Sequence, residues 1–287
     1  MTFDSVLMVD WAGGNDTGPT PRADAIWACL AQDGHAGAPV YLRNRAIAES
    51  WITETIRAAG ARNRRLLIGF DLCFAYPQGF ARHLIGTDDP LTLWDWFAAR
   101  VIDTPKRNNR FALAGEINAR FPGLGPFWFN ALRDDVPNLP RKGSVRAGHG
   151  LPEMRATDSG AKGAFSPWQL GGAGAVGGQV IMGLPTLSRL RARFGAALSV
   201  WPFEPPTAPV VLAETYFSLL PGPLAARRSA FACKDAAQVS LYAEAFGRLS
   251  AADWRVLFDV VAPIEGWVLG LGHEHRLADA LDGARAA

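Results

Sequence analysis

Apolar and polar positions fall into short blocks whose period changes several times along the chain. Residues 5–10 (SVLMVD) are almost unbroken apolar until the final aspartate, the mark of a strand buried on both faces. Residues 24–30 (DAIWACL) and 40–43 (VYLR) read as two more strands. The connections between the three are short and rich in Gly, Pro, Asn and Asp, which predicts an antiparallel meander. A helix follows over about 45–59, where Ile47, Trp51, Ile52 and Ile56 share helical spacing and Gly60 stops it. Residues 64–72 (RRLLIGFDL) are a second continuous apolar run, and again it closes on an aspartate.

From 80 to about 175 the regular alternation is lost. Trp94, Trp96 and Phe97 mark a helix, residues 125–132 (GPFWFNAL) are rich in aromatics, and 171–178 (GGAGAVGG) is the densest glycine tract. Regular patterning then returns, with a helix over about 178–194 interrupted near Pro185. Strands follow at 197–203 and 209–216, then a strong helix at 234–249 and another candidate at 252–261. The tail from His273 is polar and expected to fray. A meander leading into strands with crossovers predicts an α/β fold, a mixed sheet with helices on its faces. The whole chain, 1–287, reads as a single domain with a folded insertion over about 80–175.

Composition changes this picture little. Apolar residues make up 49% of 287, enough for one large core. Cys29, Cys73 and Cys233 are odd in number and far apart, which predicts buried free thiols and not disulfides or zinc. No signal peptide or membrane-spanning run is evident, so a cytoplasmic protein without a membrane partner is expected. Charge is more informative. The net charge is +2, but residues 100–165 hold 11 Lys or Arg against 6 Asp or Glu, a local +5. Such an excess is either a solvated face or a surface for phosphate, with nucleic acid or a nucleotide as partner.

The candidate chemistry lies in four carboxylates. Asp10 and Asp71 each end an apolar run, Glu214 stands near the end of another, and Asp235 lies in the first turn of a late helix. In an α/β sheet the functional crevice lies at the carboxyl ends of adjacent strands. Clustered carboxylates repel one another unless cations balance them, and hard divalent ions with oxygen ligands are the usual solution. Each acid also has a bland reading. Asp10 and Asp71 could cap their own turns, Glu214 could pair with an arginine, and Asp235 suits a helix amino end. Glu204 competes with Glu214 as the inward acid.

MVDWAGG, IGFDLCFAYPQGF, VGGQVIMGLP, VWPFE, AETYFSLL and KDAAQV together resemble the predicted ribonuclease H-like nucleases. The resemblance covers most of the chain. It implies a mixed five-stranded sheet flanked by helices, with the large insertion after the fourth strand. It also implies a Mg²⁺ or Mn²⁺ site made from Asp10, Asp71 and Asp235, with Glu214 as a further ligand, serving a metal-dependent nuclease or other phosphodiester hydrolase. Lys234 would offset charge on the phosphate. Trp11, Gly13, Gly14, Arg155 and Gln179 are the expected substrate-binding residues. Two positions depart from the family pattern, Cys73 and Phe217, where proline is usual. One rival is a phosphotransferase related to sugar kinases, although the duplicated halves expected there are missing. Another is a non-catalytic member of the fold that binds a nucleotide or protein, with Phe127, Trp128 and Trp168 as its recognition surface. His273 and His275 form a weak candidate metal pair.

Overall fold

A computed structural model describes residues 1–283 of the chain. β1 (Ser5–Asp10) and β2 (Ile26–Gln32) form an antiparallel hairpin. β3 (His35–Ala36) and β4 (Val40–Leu42) both pair antiparallel with β2, so the third strand of the meander is one edge broken in two. α1 (Arg45–Ala61) crosses over to β5 (Leu66–Asp71), which lies parallel to β1. Asn44 caps α1 by accepting the Ile47 N–H.

The insertion carries α2 (Phe80–Ile85), α3 (Pro90–Ala98), a small hairpin of β6 (Asp103–Thr104) and β7 (Arg107–Asn108), α4 (Arg110–Asn118) and α5 (Ala156–Gly160). Then come α6 (Val176–Phe194), β8 (Leu198–Trp201), β9 (Val210–Glu214), α7 (Pro221–Arg227), α8 (Lys234–Gly247), α9 (Ala251–Leu257) and α10 (Glu274–Asp282). Pro185 sits inside α6 without ending it.

The main sheet has seven strands, with β3, β2, β1, β5, β9 and β8 in order and β4 alongside β2. The expected count of five is therefore too low. β9 pairs parallel with β5, and β8 pairs parallel with β9 at the edge. Only residues 202–209 join those two parallel strands. Parallel neighbours usually need a crossover of about a dozen residues or more; β8, at four residues, is short enough for a loop to return along it.

Both faces of the sheet are covered, which explains the unbroken apolar runs. Leu7, Val9, Ile68 and Phe70 point into a core shared with α1, α3, α4 and α6. Val6, Met8 and Leu67 point the other way, against α8, α9 and α10. Phe127 and Trp168 of the insertion are fully buried in the first core and Trp128 packs on it. They are therefore core and not a recognition surface. Of the tail expected to fray, Glu274–Asp282 form α10, whose Leu277 and Leu281 are buried against α8 and its neighbours, while 284–287 lie outside the described residues. No helix among the described residues is long and apolar enough to cross a membrane.

Candidate functional site

Asp10 and Asp71 are direct partners in the parallel register of β1 and β5. Two carboxylates thus stand side by side at the carboxyl ends of neighbouring central strands. α8 packs across β1 and β2 and brings its first turn to the same end. There Asp235 Oδ2 accepts the Asp24 N–H at 2.8 Å. Burial pushes the Asp10 carboxyl well above the usual carboxylate range, and Asp71 and Asp235 push it further. Burial also lifts Asp71, to about 7, helped by the nearby charges of Glu214 and Asp235 and opposed by a Phe217 N–H. Asp235 is raised by burial first. The exposed Lys234 is the cation that works against all three shifts.

Asp10, Asp24 and Asp235 line a cleft of about 540 Å³ with Trp11, Gly13, Gly14, Arg110, Gln179 and the glycine tract before α6. Asp71 lines a smaller adjoining cavity of about 60 Å³ together with Cys73, Asp158, Phe165, Glu214 and Thr215. Val176 and Gln179 line both spaces. The loop after β1 is held from outside. Gln179 Nε2 donates to the Trp11 carbonyl at 2.9 Å, and Arg45 donates to the carbonyls of Ala12 and Gly14. Gly13 is required to be small, since a Cβ there would lie 2.6 Å from the backbone of Gly178.

Several expected residues lie elsewhere. Arg155 is fully buried and cannot bind substrate from the cleft. Its guanidinium forks onto Glu214 at 2.8 and 2.5 Å and onto Asp158 at 2.9 and 2.7 Å. Glu214 also accepts the Phe74 N–H at 2.9 Å. Glu214 is the inward acid, while Glu204 pairs with Arg191 and closes the turn onto the Val200 N–H. Burial raises the Glu214 carboxyl, with Arg155 pulling it back. The bland reading of Glu214 as an arginine partner is therefore the one its contacts match. The Trp11 side chain is also core, packed edge-on to Phe70.

Cys73, Asp158 and Glu214 bring donor atoms within 4.8 Å of one another, a buried group that could hold a metal ion. Arg155 already supplies positive charge there, and burial holds the Cys73 thiol in its neutral form. A neutral thiol is a poor metal ligand. All three cysteines are free and buried. The basic insertion does not form one face on the cleft. Arg141 pairs with Asp135, Arg146 with Glu153 and Arg155 with Asp158, and among the described residues Arg110 is the cation of the insertion that lines the cleft. His273 and His275 face each other at 6.3 Å between ring centres, at the start of α10.

Asp24 is a residue that sequence reasoning missed. It was hidden as the first residue of a strand; the structure places it at a positive φ of 57°, at the end of the loop before β2. Arg110 was legible only as one of the basic residues of 106–110 (KRNNR) within the local charge excess. Comparison with family models finds no match, and neither curated proteins nor solved structures provide one.

Proposed function

We propose that this chain is a metal-dependent phosphodiester hydrolase, a nuclease of the ribonuclease H-like kind. One observation carries the reading. Asp10 and Asp71 are registered side by side on parallel central strands, and the first turn of α8 adds Asp235. The donor set suits a hard divalent cation in kind, because it is all carboxylate oxygen, although its oxygens are not all within 4.8 Å of one another; burial first, and then the charges of neighbouring acids, raise the Asp10 and Asp71 carboxyls. Asp10, Asp71 and Asp235 would hold Mg²⁺ or Mn²⁺. When bound, such an ion supplies Lewis acidity toward a phosphoryl oxygen and activates water. Glu214 takes no part in this set, since Arg155 engages both of its oxygens.

The chain's own residues prepare the site. The Asp24 N–H fixes Asp235, and Lys234 offsets part of the acidic charge. The open side of the cleft, lined by glycines 13, 14, 172, 174 and 178, lets backbone approach a substrate closely. The substrate class is a nucleic acid or a nucleotide.

The test is Asp10→Asn, assayed by Mn²⁺ titration and by cleavage of single- and double-stranded DNA and RNA. The change removes one charge and nearly keeps the shape. Loss of an outer-shell partner already costs about 10–100-fold in metal affinity or activity, so loss of this carboxylate should exceed about 100-fold in cleavage. Mn²⁺ binding that stays unchanged in Asp10→Asn, beside a stability loss of about 0.5–2 kcal/mol in Asp10→Ala, would leave Asp10 a structural turn residue.

A further inference from the structure

The cleft holds a cation that the metal reading does not use. Arg110 opens α4 and lines the cleft. Its Nη1 donates to the Gly13 carbonyl at 3.1 Å and to Asn108 Oδ1 at 3.0 Å, and the ring of Phe111 lies 4.5 Å from the guanidinium. None of these partners is charged. Among the described residues Arg110 has no carboxylate at ion-pair distance, and its Nε is buried without a hydrogen bond. Its neighbour Arg45, by contrast, is forked onto Asp103 at 2.6 Å. A part-buried guanidinium with no carboxylate in direct contact is unfavourable, and an arriving anion would supply that partner.

The surrounding backbone favours an anion as well. The four carbonyls of residues 11–14 are each occupied by Gln179, Arg45 or Arg110. The amino end of α6, nineteen residues long, lies beside Arg110 without a side-chain cap. The acids are not the missing partner. Among the described residues none of Asp10, Asp24, Asp71 and Asp235 lies at ion-pair distance from Arg110, whose nearest charged neighbours in effect are Arg45 and Asp103. Arg110 and three of the acids, Asp10, Asp24 and Asp235, line one cleft without pairing.

Phe165 adds an aromatic surface at its edge. The ring is 50% exposed and lines the smaller cavity beside Asp71. It is seated on Gly174, where a Cβ would come within 2.3–2.6 Å of three ring atoms, and Gly174 itself lines the larger cleft. A fixed, half-open ring at the seam of an anion-binding cleft suits an unpaired base. The volume, about 540 Å³, lies within the range of about 300–1,000 Å³ for small-molecule sites.

We propose that this cleft binds one nucleotide unit, with its phosphate against Arg110 and its base against Phe165. This deepens the phosphodiesterase reading and rests on it for the choice of substrate. It is tested without metal, so failure of metal binding by Asp10 would not count against it. Isothermal titration in EDTA compares adenosine 5′-monophosphate with ribose 5-phosphate on the wild type, Arg110→Gln, Arg110→Lys and Phe165→Ala. Circular dichroism checks that each variant is folded. Arg110→Gln should weaken both ligands at least tenfold, with Arg110→Lys in between because it keeps the charge and loses the fork. Phe165→Ala should weaken the mononucleotide about fivefold or more and leave ribose 5-phosphate unchanged. An unpaired octanucleotide that binds at least tenfold tighter than the mononucleotide identifies a strand as the source of the phosphate; equal affinity identifies the free nucleotide. Wild-type affinity for both small ligands in folded Arg110→Gln would overturn the proposal. So would absence of binding to the wild type, or equal losses of both ligands in Phe165→Ala.

Discussion

At the scale of single residues, the acid pair makes a prediction about pH. Asp71 is raised to about 7 in the folded chain, against about 3.9 for an unfolded aspartate. Between those values the native state holds a proton that the unfolded state has released. Stability of the metal-free protein should therefore fall as pH rises from about 4 to about 7, and level off above that. Asp71→Asn has no such proton to lose. Its melting temperature should exceed that of the wild type at pH 7.5 and converge with it near pH 4, when both are measured in EDTA. Equal pH slopes for the two would mean that Asp71 is ionised at little cost and that the repulsive pair is not a feature of the free protein. Asp10 and Asp71 were readable in the sequence because each breaks an apolar run at its end. Arg155 was not. A buried arginine and a surface arginine look alike until the partner is known, and here the partner, Glu214, is 59 residues away.

At the scale of elements, legibility followed the source of each signal. β1, β5, α1 and α8 were plain because burial on both faces of a sheet, or on one face of a long helix, writes a strict period. α10 was missed because its buried positions, Leu277 and Leu281, are only two in a polar segment. β8 and β9 were visible as strands, but their parallel pairing was not, since parallel neighbours usually need a crossover longer than the loop between them. The loop after β1 shows what the sequence signalled only as glycine. Gly13 sits against the first turn of α6, where a Cβ would meet the carbonyl carbon and oxygen of Gly178 at 2.6 Å. Backbone cannot turn aside as a side chain can. Gly13→Ala should separate the loop from α6, destabilise the protein by about 1–3 kcal/mol, as overpacking does, and weaken nucleotide binding. Gly14→Ala meets nothing within 4 Å and is the control. Urea denaturation of both variants checks this, and equal losses would show that close packing at Gly13 is not what holds the loop.

At the scale of the whole molecule, the insertion and the sheet are one structure. The sequence hinted at this through the aromatic content of the insertion, whose rings do join the core beneath β5. It could not show the polar tie. Arg155 stands at the start of α5 and grips Glu214 at the end of β9 and Asp158 in its own helix, while its Nη1 donates to the Glu265 carbonyl near the C-terminal segment. Three distant parts of the chain meet on one guanidinium beside the cavity that contains Asp71. Replacing Arg155 by methionine would fill much of the space but leave two buried carboxylates without their cation. Removal of one partner from a buried pair costs about 3–5 kcal/mol, so Arg155→Met should lose about that much at pH 7. The loss should shrink as pH falls. Burial already raises Glu214, and without Arg155 nothing comparable pulls it back, so protonation in the folded state relieves the penalty. Urea unfolding at pH 7.5 and pH 5 decides the matter. A deficit that is smaller at pH 5 assigns the role of Arg155 to neutralising buried acids. A deficit equal at both values would make its contribution one of packing and hydrogen bonds alone.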